Sequence, residues 1–503
     1  MESRSCFKDK KRLSLNHSVV KIIAISAIIL YLCSSLRHSL FQSTAFELGI
    51  YDQVTYLISQ GQPPISSFLE IHHLGNHAAW AMYPVALLYK IYPSVYWLFL
   101  IQAVALAIGA WPTWSLSQQA GLSSRLSIAM ATTYLLYPVI FNVNLFDFHP
   151  EVMALPALLG AILAARLNRL IWFCLAILWV LGCKDALALT VIALGIWLYF
   201  FEKKRTCGAI ALVLGTAWFM IVIQGIIPYF KDGRGPGGVG RYPYLGNSIS
   251  EILKNIVLKP ELIVDRIVSL KTLEYLILLI SPIILWVSPR HLSPLIGAFP
   301  ALMKNILSDI DAQRDLIHQY SVPIVPFLMV AIIASLSDQT PQYLGHWIIE
   351  QWQSFHESSC LLRLRLDQLI ILWSILGFIC LAKFGYFWSI YLKQTDTWQA
   401  SKAALSLISS QGNVLTTANF APHLTHRPKI KFTNIDAPPE DLGQFDYVLL
   451  NLSHPGWKSS QEFTMSLVKQ LDQSEDFQLI YEQDGVYLFV KPIILQSVPD
   501  FSE

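Results

Sequence analysis

The stretch that decides the fold is residues 19–36, VVKIIAISAIILYLCSSL, which is followed by two clusters of acids and histidines. An apolar run of this length suits a helix that crosses a hydrocarbon layer about 30 Å thick. The clusters are FELGIYDQ at residues 46–53 and EIHHLGNH at residues 70–77. Carboxylates and imidazoles can accept a proton, hold a divalent cation or steady a leaving phosphate. This order of features therefore predicts chemistry at a membrane surface.

The composition of the whole chain is that of a membrane protein. Of the 503 residues, 54% are hydrophobic and only 14% are charged, and the mean hydropathy is +0.47. A soluble protein of this size is less apolar and more charged. The 36 basic and 34 acidic residues give a net charge of +2 without a basic stripe, so nucleic acid is not expected as a partner. The seven cysteines show no metal-binding spacing and predict no disulfide framework.

The apolar runs predict an all-α polytopic membrane protein with about eleven transmembrane helices. Segment 76–92 is also apolar, but His77, Tyr83 and Lys90 favour a helix that lies in the membrane interface. The interiors of the predicted spans carry almost no ionisable groups, which argues against an ion-coupled carrier. The predicted spans lie near residues 19–36, 94–112, 125–145, 150–166, 170–184, 187–201, 207–228, 273–288, 291–307, 320–337 and 368–388.

Basic residues set the predicted orientation. The N-terminus is basic and no cleavage site follows the first apolar run, so we expect a retained first span with a cytoplasmic N-terminus. Eleven spans then place the loops at about 37–93 and 229–272, together with the C-terminus, on the outer side. The short connections expected inside carry Arg125, Arg166, Arg169, Lys203, Lys204, Arg205, Arg290, Arg363 and Arg365.

From about Asp396 the composition changes to that of a small soluble domain. Helices are predicted at 397–410 and 459–472, β-strands at 413–417, 429–433 and 446–452, and a hairpin turn at 483–485. We therefore divide the chain into a basic cytoplasmic N-terminus at 1–18, a multi-span membrane domain at 19–390 and a small extracytoplasmic α/β domain at 391–503.

The predicted outer side collects the candidate site residues. Glu47 and Asp52 are the candidate catalytic residues, either of which could act as a general base; five residues apart on a helix, they need not share a face. Histidines and cations near them could stabilise a phosphate, and further acids could support them. The candidates for phosphate binding are His72, His77, His149, Lys184, Arg241, Arg314 and His318, and the supporting acids are Glu70, Asp147, Glu151 and Asp185.

Each group also has a purely structural interpretation. Asp147, His149 and Glu151 stand before a proline at a helix start, where they could cap the helix. Lys184 and Asp185 could form an ion pair in a tight turn, and segments 232–241 and 309–318 could be solvated loops. A divalent cation, Mg²⁺ or Mn²⁺, bridging Asp52, Glu70 and His72 is an alternative that the sequence leaves open.

The order of features resembles the C-type (GT-C) glycosyltransferase superfamily, in which one span precedes an outer loop with one or two acids. Glu70-Ile71-His72-His73-Leu74-Gly75 is loosely similar to a motif of protein mannosyltransferases within it. A closer resemblance, carried by residues 46–53, 148–151, 184–186, 318–320 and 422–427, is to a family of uncharacterised prokaryotic multi-span proteins with GT-C-like organisation. In this chain Glu47 replaces a common Asp of that family and Lys184-Asp185 replaces a common Lys-Glu.

The resemblance implies transfer of a sugar, with inversion, from a polyprenyl-phosphate carrier to an acceptor hydroxyl at the outer face of a prokaryotic plasma membrane. Glu47 or Asp52 would take the hydroxyl proton, and His72, His149 or Arg241 would stabilise the departing phosphate. Membrane lipids, a lipid-linked sugar and an acceptor of unknown type would be the partners. Two alternatives stay open: a lipid or glycan transporter or flippase, and a non-catalytic envelope assembly protein.

Overall fold

The computed structural model describes residues 16–340, 342–348, 365–409 and 411–495. Most of the predicted cytoplasmic N-terminus, the connection at Arg363 and the last residues of the C-terminal domain lie outside these ranges. Within them, residues 16–394 are largely helical and residues 398–495 fold around a small β-sheet.

Eleven α-helices make up the first half of the helical part. Of these, α1 is an uninterrupted apolar helix, and α5 continues through Gly109 into α6, so that Tyr96–Gln119 forms a second helix of spanning length. Their bounds are α1 (His17–Ser39), α2 (Ile50–Ser59), α3 (His73–His77), α4 (Met82–Ile91), α5 (Tyr96–Ile108), α6 (Ala110–Gln119), α7 (Ser124–Leu136), α8 (Pro138–Asn144), α9 (Ala154–Arg166), α10 (Leu170–Cys183) and α11 (Leu187–Phe200).

The second half of the helical part contains the other two helices of spanning length, Arg205–Phe230 and Gln319–Leu336. Its α-helices are α12 (Arg205–Ile221), α13 (Ile227–Phe230), α14 (Ile249–Leu258), α15 (Pro260–Ile267), α16 (Leu270–Ile280), α17 (Leu295–Ile306), α18 (Val325–Leu336), α19 (Leu366–Leu381) and α20 (Tyr386–Ser389).

Each of the eleven predicted apolar runs overlaps a helix, but the helices differ in length. Four are long enough to span a bilayer, and two further spans arise if α7 with α8, and α19 with the turns after it, each count as one bent span. The 40° bend between α7 and α8 lies at Pro138, which lacks an N–H group and restricts the residue before it. Three shorter apolar helices, α10, α11 and α17, could cross a bilayer only with help from their flanking turns. The count of eleven spans stays a prediction.

Segment 76–92 contains the end of α3 and the ten-residue α4. A helix of ten residues is about 15 Å long, half the thickness of the hydrocarbon layer. This length agrees with the predicted helix in the interface.

Close helix packing requires a glycine at several crossings, and Gly109 is one of them. A Cβ atom on Gly109 would lie 2.1 Å from the hydroxyl oxygen of Tyr134. The Tyr134 hydroxyl instead donates a hydrogen bond to the carbonyl of Leu106 at 2.8 Å. The buried phenol is thereby satisfied, and α5, α6 and α7 pack into one continuous apolar core.

The C-terminal part is a five-stranded sheet with strand order β4-β3-β5-β7-β6. Strands β3, β4 and β5 are parallel, whereas β7 pairs antiparallel with both β5 and β6. The predicted small C-terminal α/β region is thus confirmed. A separate two-stranded pairing joins β1 and β2 in the first loop. The elements are β1 (Ile65–Ser66), β2 (Ile71–His72), β3 (Val414–Thr416), β4 (Ile430–Phe432), β5 (Tyr447–Asn451), β6 (Gln478–Gln483), β7 (Val486–Val490), α21 (Trp398–Ser406), α22 (Gln461–Asp472) and α23 (Pro492–Leu495).

The sheet is docked directly on the loop that follows α1. Phe41 and Ala45 belong to the same buried cluster as the core of the sheet. The Ala45 N–H donates to the carbonyl of Ala418 at 3.1 Å. The hydroxyl of Ser67 donates to the carbonyl of Ile430 at 2.7 Å and accepts from its N–H at 3.0 Å. The C-terminal domain therefore helps to position the segment that carries Glu47.

Candidate functional site

Glu47 lies on a single π-helical turn, Ala45–Gly49, that leads into α2. The Gly49 N–H donates to the carbonyl of Thr44 at 3.2 Å, which is the wider spacing of a π-turn. A side chain at Gly49 would press on the ring of Phe68, with a Cβ contact of 3.2 Å. Turns of this kind occur often at functional sites, and this one leaves the Glu47 side chain 27% exposed.

His149 is the partner of Glu47. Its Nε2 atom lies 3.1 Å from Glu47 Oε2, while the imidazole itself is only 1% exposed. Among the described residues Nε2 has no well-aligned hydrogen bond, so this approach is mainly electrostatic. Burial opposes ionisation of both groups, but the opposite charge outweighs it: the pKa of Glu47 is lowered and the pKa of His149 is raised. The pair therefore favours an ionised Glu47 beside a cationic His149.

A buried network holds His149 in place. The side chain of Gln102, on α5, accepts from the His149 N–H at 3.1 Å and donates to the Asp147 carbonyl at 2.9 Å. The Asp147 carboxylate accepts from Thr44 N and Oγ1, both at 3.0 Å, and from the Arg37 guanidinium. Because Thr44 precedes the turn of Glu47, Asp147 links the two segments that carry Glu47 and His149. The network explains why Asp147 tolerates a φ of +83°.

A polar cavity of about 280 Å³ opens beside Glu47. It brings together four of the predicted residues besides Glu47: His77, Lys184, Asp185 and Arg241. His149 and Glu151 lie directly behind it. The cavity is lined by Phe46, Glu47, Ile50, Tyr51, Leu69, Asn76, His77, Lys184, Asp185, Ala186, Pro236, Gly237, Gly238, Arg241, Lys304, Gln319 and Tyr320.

Two ion pairs brace the wall that contains Lys184 and Asp185. The Lys184 ammonium is paired with the buried Glu151 carboxylate. His77 Nδ1 lies 3.1 Å from Asp185 Oδ1, and the His77 carbonyl accepts from the Asp185 N–H at 2.9 Å. Burial disfavours the Asp185 carboxylate, yet His77 and Lys184 together lower its pKa. This wall thus carries fixed charges of both signs.

Two cationic side chains, Lys304 and Arg241, line the cavity with few negative charges near them. Lys304, at the end of α17, forms no ion pair among the described residues, although it lines the cavity. The Arg241 guanidinium lies 5.1 Å from the centre of the Tyr320 ring and reaches the side-chain oxygen of Gln313. An anion entering the cavity would meet these cations and Lys184.

Sequence reasoning missed Lys304, Gln319 and Tyr320. Lys304 is the single charge within the apolar run 291–307, which is the signal that could have drawn attention to it. Gln319 and Tyr320 follow His318, and of these three residues only the histidine was predicted as a site residue. The histidine points elsewhere: His318 Nδ1 lies 2.6 Å from Asp315 Oδ2.

An apolar groove leads to the cavity between α11 and α17. It has a volume of about 590 Å³ and is lined almost entirely by Leu, Ile, Ala, Phe and Pro side chains. Leu189 and Pro300 line both this groove and a narrow neck, and the neck shares Lys184, Lys304 and Tyr320 with the cavity. A long apolar chain could therefore lie in the groove with a charged end at the cations.

Asp52 lies away from this cavity. Its carboxylate accepts from the Tyr89 hydroxyl at 2.5 Å and from the Thr425 hydroxyl, and lies 3.2 Å from His426 Nε2. Although burial opposes protonation of His426, the Asp52 charge raises its pKa. These contacts line a second cavity of about 410 Å³ between the helical part and the C-terminal domain. Glu47 and Asp52 thus project to different sides of α2, as their spacing allows.

Four further predicted residues do not join the cavity wall. Glu70 pairs with Lys431, and His72 stacks on Phe230 with ring centres 4.0 Å apart. Arg314 donates to Asp311 at 2.8 Å and to the carbonyl of Ile306 at 3.2 Å. His318 is held by Asp315, as described above.

The predicted metal ligands Asp52, Glu70 and His72 each have a separate set of partners. Within the part of the chain that the structure describes, no three His, Cys, Asp or Glu side chains are grouped as metal ligands. The arrangement that the sequence left open is therefore not assembled by the fold.

The family described as "Predicted membrane protein (DUF2079)" matches residues 37–488. No protein with a curated description matches the sequence. Two solved structures of ArnT from Cupriavidus metallidurans, one bound to undecaprenyl phosphate and one in the apo state, share the fold at a TM-score of 0.55 and 11% identity. They cover 94% of this chain and 98% and 97% of their own.

Proposed function

The chain belongs to the predicted membrane protein family DUF2079 and has the fold of ArnT, and from the geometry of its cavity we propose that it transfers a sugar from a polyprenyl-phosphate carrier to an acceptor hydroxyl. We further propose that the cavity opens on the outer face of a prokaryotic plasma membrane.

The observation that carries the proposal is the path from the apolar groove to the cations. A polyprenyl phosphate is a long apolar chain that ends in an anion. The groove between α11 and α17 suits the chain, and Lys184 and Lys304 at the neck, with Arg241 beyond it, suit the phosphate. One of the two ArnT structures is bound to undecaprenyl phosphate, which supports a lipid of this class for the same fold.

Glu47 would act as the general base. His149 favours the ionised form of Glu47 at neutral pH, and the partly exposed Glu47 side chain faces the cavity. In the reaction the acceptor oxygen attacks the anomeric carbon and its proton passes to Glu47. The bond between the anomeric carbon and the phosphate oxygen breaks, and the carrier phosphate leaves with the electron pair. The three cations stabilise the charge that develops on that phosphate.

The transporter and assembly alternatives lack comparable support. A flippase would need polar groups along the whole path of the headgroup. The described groove is apolar until the neck, where the charged side chains begin. An assembly protein would have no need for a carboxylate whose pKa is lowered next to a cation cluster.

The test uses purified protein, synthetic polyprenyl phosphates carrying different hexoses, and release of free polyprenyl phosphate as the readout. Glu47→Gln should lower the rate by about 10²- to 10⁴-fold, the usual contribution of a general base. The matched control is Glu202→Gln, at a carboxylate that pairs with Arg166 at the far connection between α11 and α12. If Glu47→Gln is present in the membrane at normal abundance and turns over the donor at the wild-type rate, Glu47 is not the general base.

The proposed orientation has its own test. Reporter fusions after Ser123 and after Leu495 should report the cytoplasm and the exterior, respectively. The opposite pattern would place the cavity on the cytosolic side and exclude the outer-face reaction.

A further inference from the structure

An exposed aromatic surface borders the cavity next to Glu47. It consists of Phe46, which is 39% exposed and lines the cavity, and Trp457 of the C-terminal domain, which is 48% exposed. Their ring centres are 5.4 Å apart and their planes meet at 56°. We call these two side chains the aromatic platform. Large aromatic side chains exposed together beside a cavity are typical of binding sites.

The platform is fixed from behind. Phe432 on β4 packs against Trp457 with ring centres 5.8 Å apart. The loop of Trp457 contains Gly456 and Lys458, with φ values of +82° and +63°. The Lys458 carbonyl accepts from the Ile435 N–H at 2.9 Å. A side chain at position 456 would lie 2.9 Å from Asn419 Oδ1, so the loop approaches its neighbour closely. The tryptophan is therefore held at the cavity rim.

We propose that the aromatic platform binds the acceptor and that the acceptor is itself a sugar in pyranose form. This inference rests on the proposed function. The axial C–H groups of a pyranose carry partial positive charge and pack on the negative face of an aromatic ring. A ring stacked on Phe46 or Trp457 would place its hydroxyl groups next to Glu47, the neighbour of Phe46 in the chain.

Two further observations favour a sugar over a lipid chain at this position. The platform is flanked by the exposed ion pair of Lys458 and Asp436, whose polar atoms can bond to sugar hydroxyls. The apolar groove reaches the cavity through the neck, and neither Phe46 nor Glu47 lines that neck. Donor and acceptor would thus approach Glu47 along separate surfaces.

The experiment measures acceptor use by the full-length protein with a polyprenyl-phosphate hexose as donor. The acceptors are octyl β-glycosides of glucose, galactose and N-acetylglucosamine, with octanol as an acceptor without a sugar ring. Donor hydrolysis without any acceptor is recorded separately. Trp457→Ala should lower kcat/KM for the glycosides by about tenfold through a higher acceptor KM, and leave the donor KM and octanol transfer unchanged.

Two variants complete the design. Trp457→Phe keeps an aromatic face and should retain most of the glycoside activity. Met465→Ala removes another exposed apolar side chain of the same domain, on α22, and should behave like wild type. Unchanged glycoside kinetics in Trp457→Ala would overturn the inference. So would a wild-type protein that turns over the donor but uses none of the glycosides. Absence of any donor turnover would instead refute the proposed function, and this inference with it.

Discussion

Replacing His149 with asparagine is the sharpest test of how Glu47 is tuned. The positive charge of His149, 3.1 Å from Glu47 Oε2, is the strongest of the charges that stabilise the Glu47 carboxylate. An opposite charge at such distances lowers a carboxyl pKa by about 1–3 units, whereas burial raises it. With the imidazolium gone, burial acts on Glu47 without that opposition. We therefore expect the pKa of Glu47 to rise when His149 is replaced.

The assay is the pH dependence of kcat/KM for sugar transfer. The base must be ionised, so the acidic limb of the profile follows the pKa of Glu47 in the free protein. In wild type the lowered pKa keeps that limb at low pH. In His149→Asn the acidic limb should move to higher pH, so the loss of activity is larger at pH 5 than at pH 8.

A matched variant separates this effect from general damage to the cavity. His77→Asn removes another cavity histidine, whose partner is Asp185 and not Glu47. It should leave the acidic limb where wild type has it. If His149→Asn folds to normal abundance and its acidic limb coincides with that of wild type, Glu47 is not the base or His149 does not tune it.

Four other outcomes are expected. Lys304→Met should raise the donor KM about tenfold in initial-rate measurements and leave the acceptor KM unchanged, because it removes from the phosphate end of the cavity a cation that has no ion pair among the described residues. Ile196→Trp should weaken transfer from long-chain donors but not from short-chain ones, since it fills the apolar groove. Asp52→Asn should lower the free energy of unfolding by about 1–3 kcal/mol, seen as a lower Tm, because the substitution leaves His426 without its anion. The acidic limb of the rate profile should stay where wild type has it. Burial lowers the pKa of His423 to about 4, so below pH 6.5 the unfolded chain takes up a proton at this residue more readily than the folded protein does. The free energy of unfolding therefore falls with pH, by about 2 kcal/mol at pH 5. In His423→Gln this proton uptake is absent, and Tm should fall less steeply as the pH is lowered.

The helical class and the positions of the elements follow from the sequence because both rest on local patterns. Apolar runs near the length of a bilayer crossing predict helices, and each run overlaps one. The C-terminal strands at Val414–Thr416, Ile430–Phe432 and Tyr447–Asn451 fall inside the predicted runs, since β-branched and aromatic residues between turn signals mark strands locally. Helix length was harder to predict, because a proline or glycine within an apolar run, as at Pro138, divides it.

The site was only partly predictable because its residues come from distant segments. Charge scarcity in an apolar chain pointed to Glu47, His149 and Lys184, which the fold does gather. Helical periodicity showed that Asp52 need not face the same way as Glu47. It did not show which residues Asp52 would contact. Its partners Thr425 and His426 lie more than 370 positions away, so no local pattern could reveal them.

The separation of Glu47 and Asp52 gives the C-terminal domain a part in positioning Glu47. Asp52 fixes one side of α2 to Thr425 and His426, and Gln53 donates to the carbonyl of Arg427 at 3.1 Å. At the other end of the same segment, Asp147 fixes Thr44. The π-turn of Glu47 lies between these two anchors, so neither the helical part nor the sheet alone determines where the carboxylate points. In the proposed reaction the sheet would contribute by holding Glu47 against His149, and through Trp457 it would form the rim across which an acceptor reaches the same carboxylate.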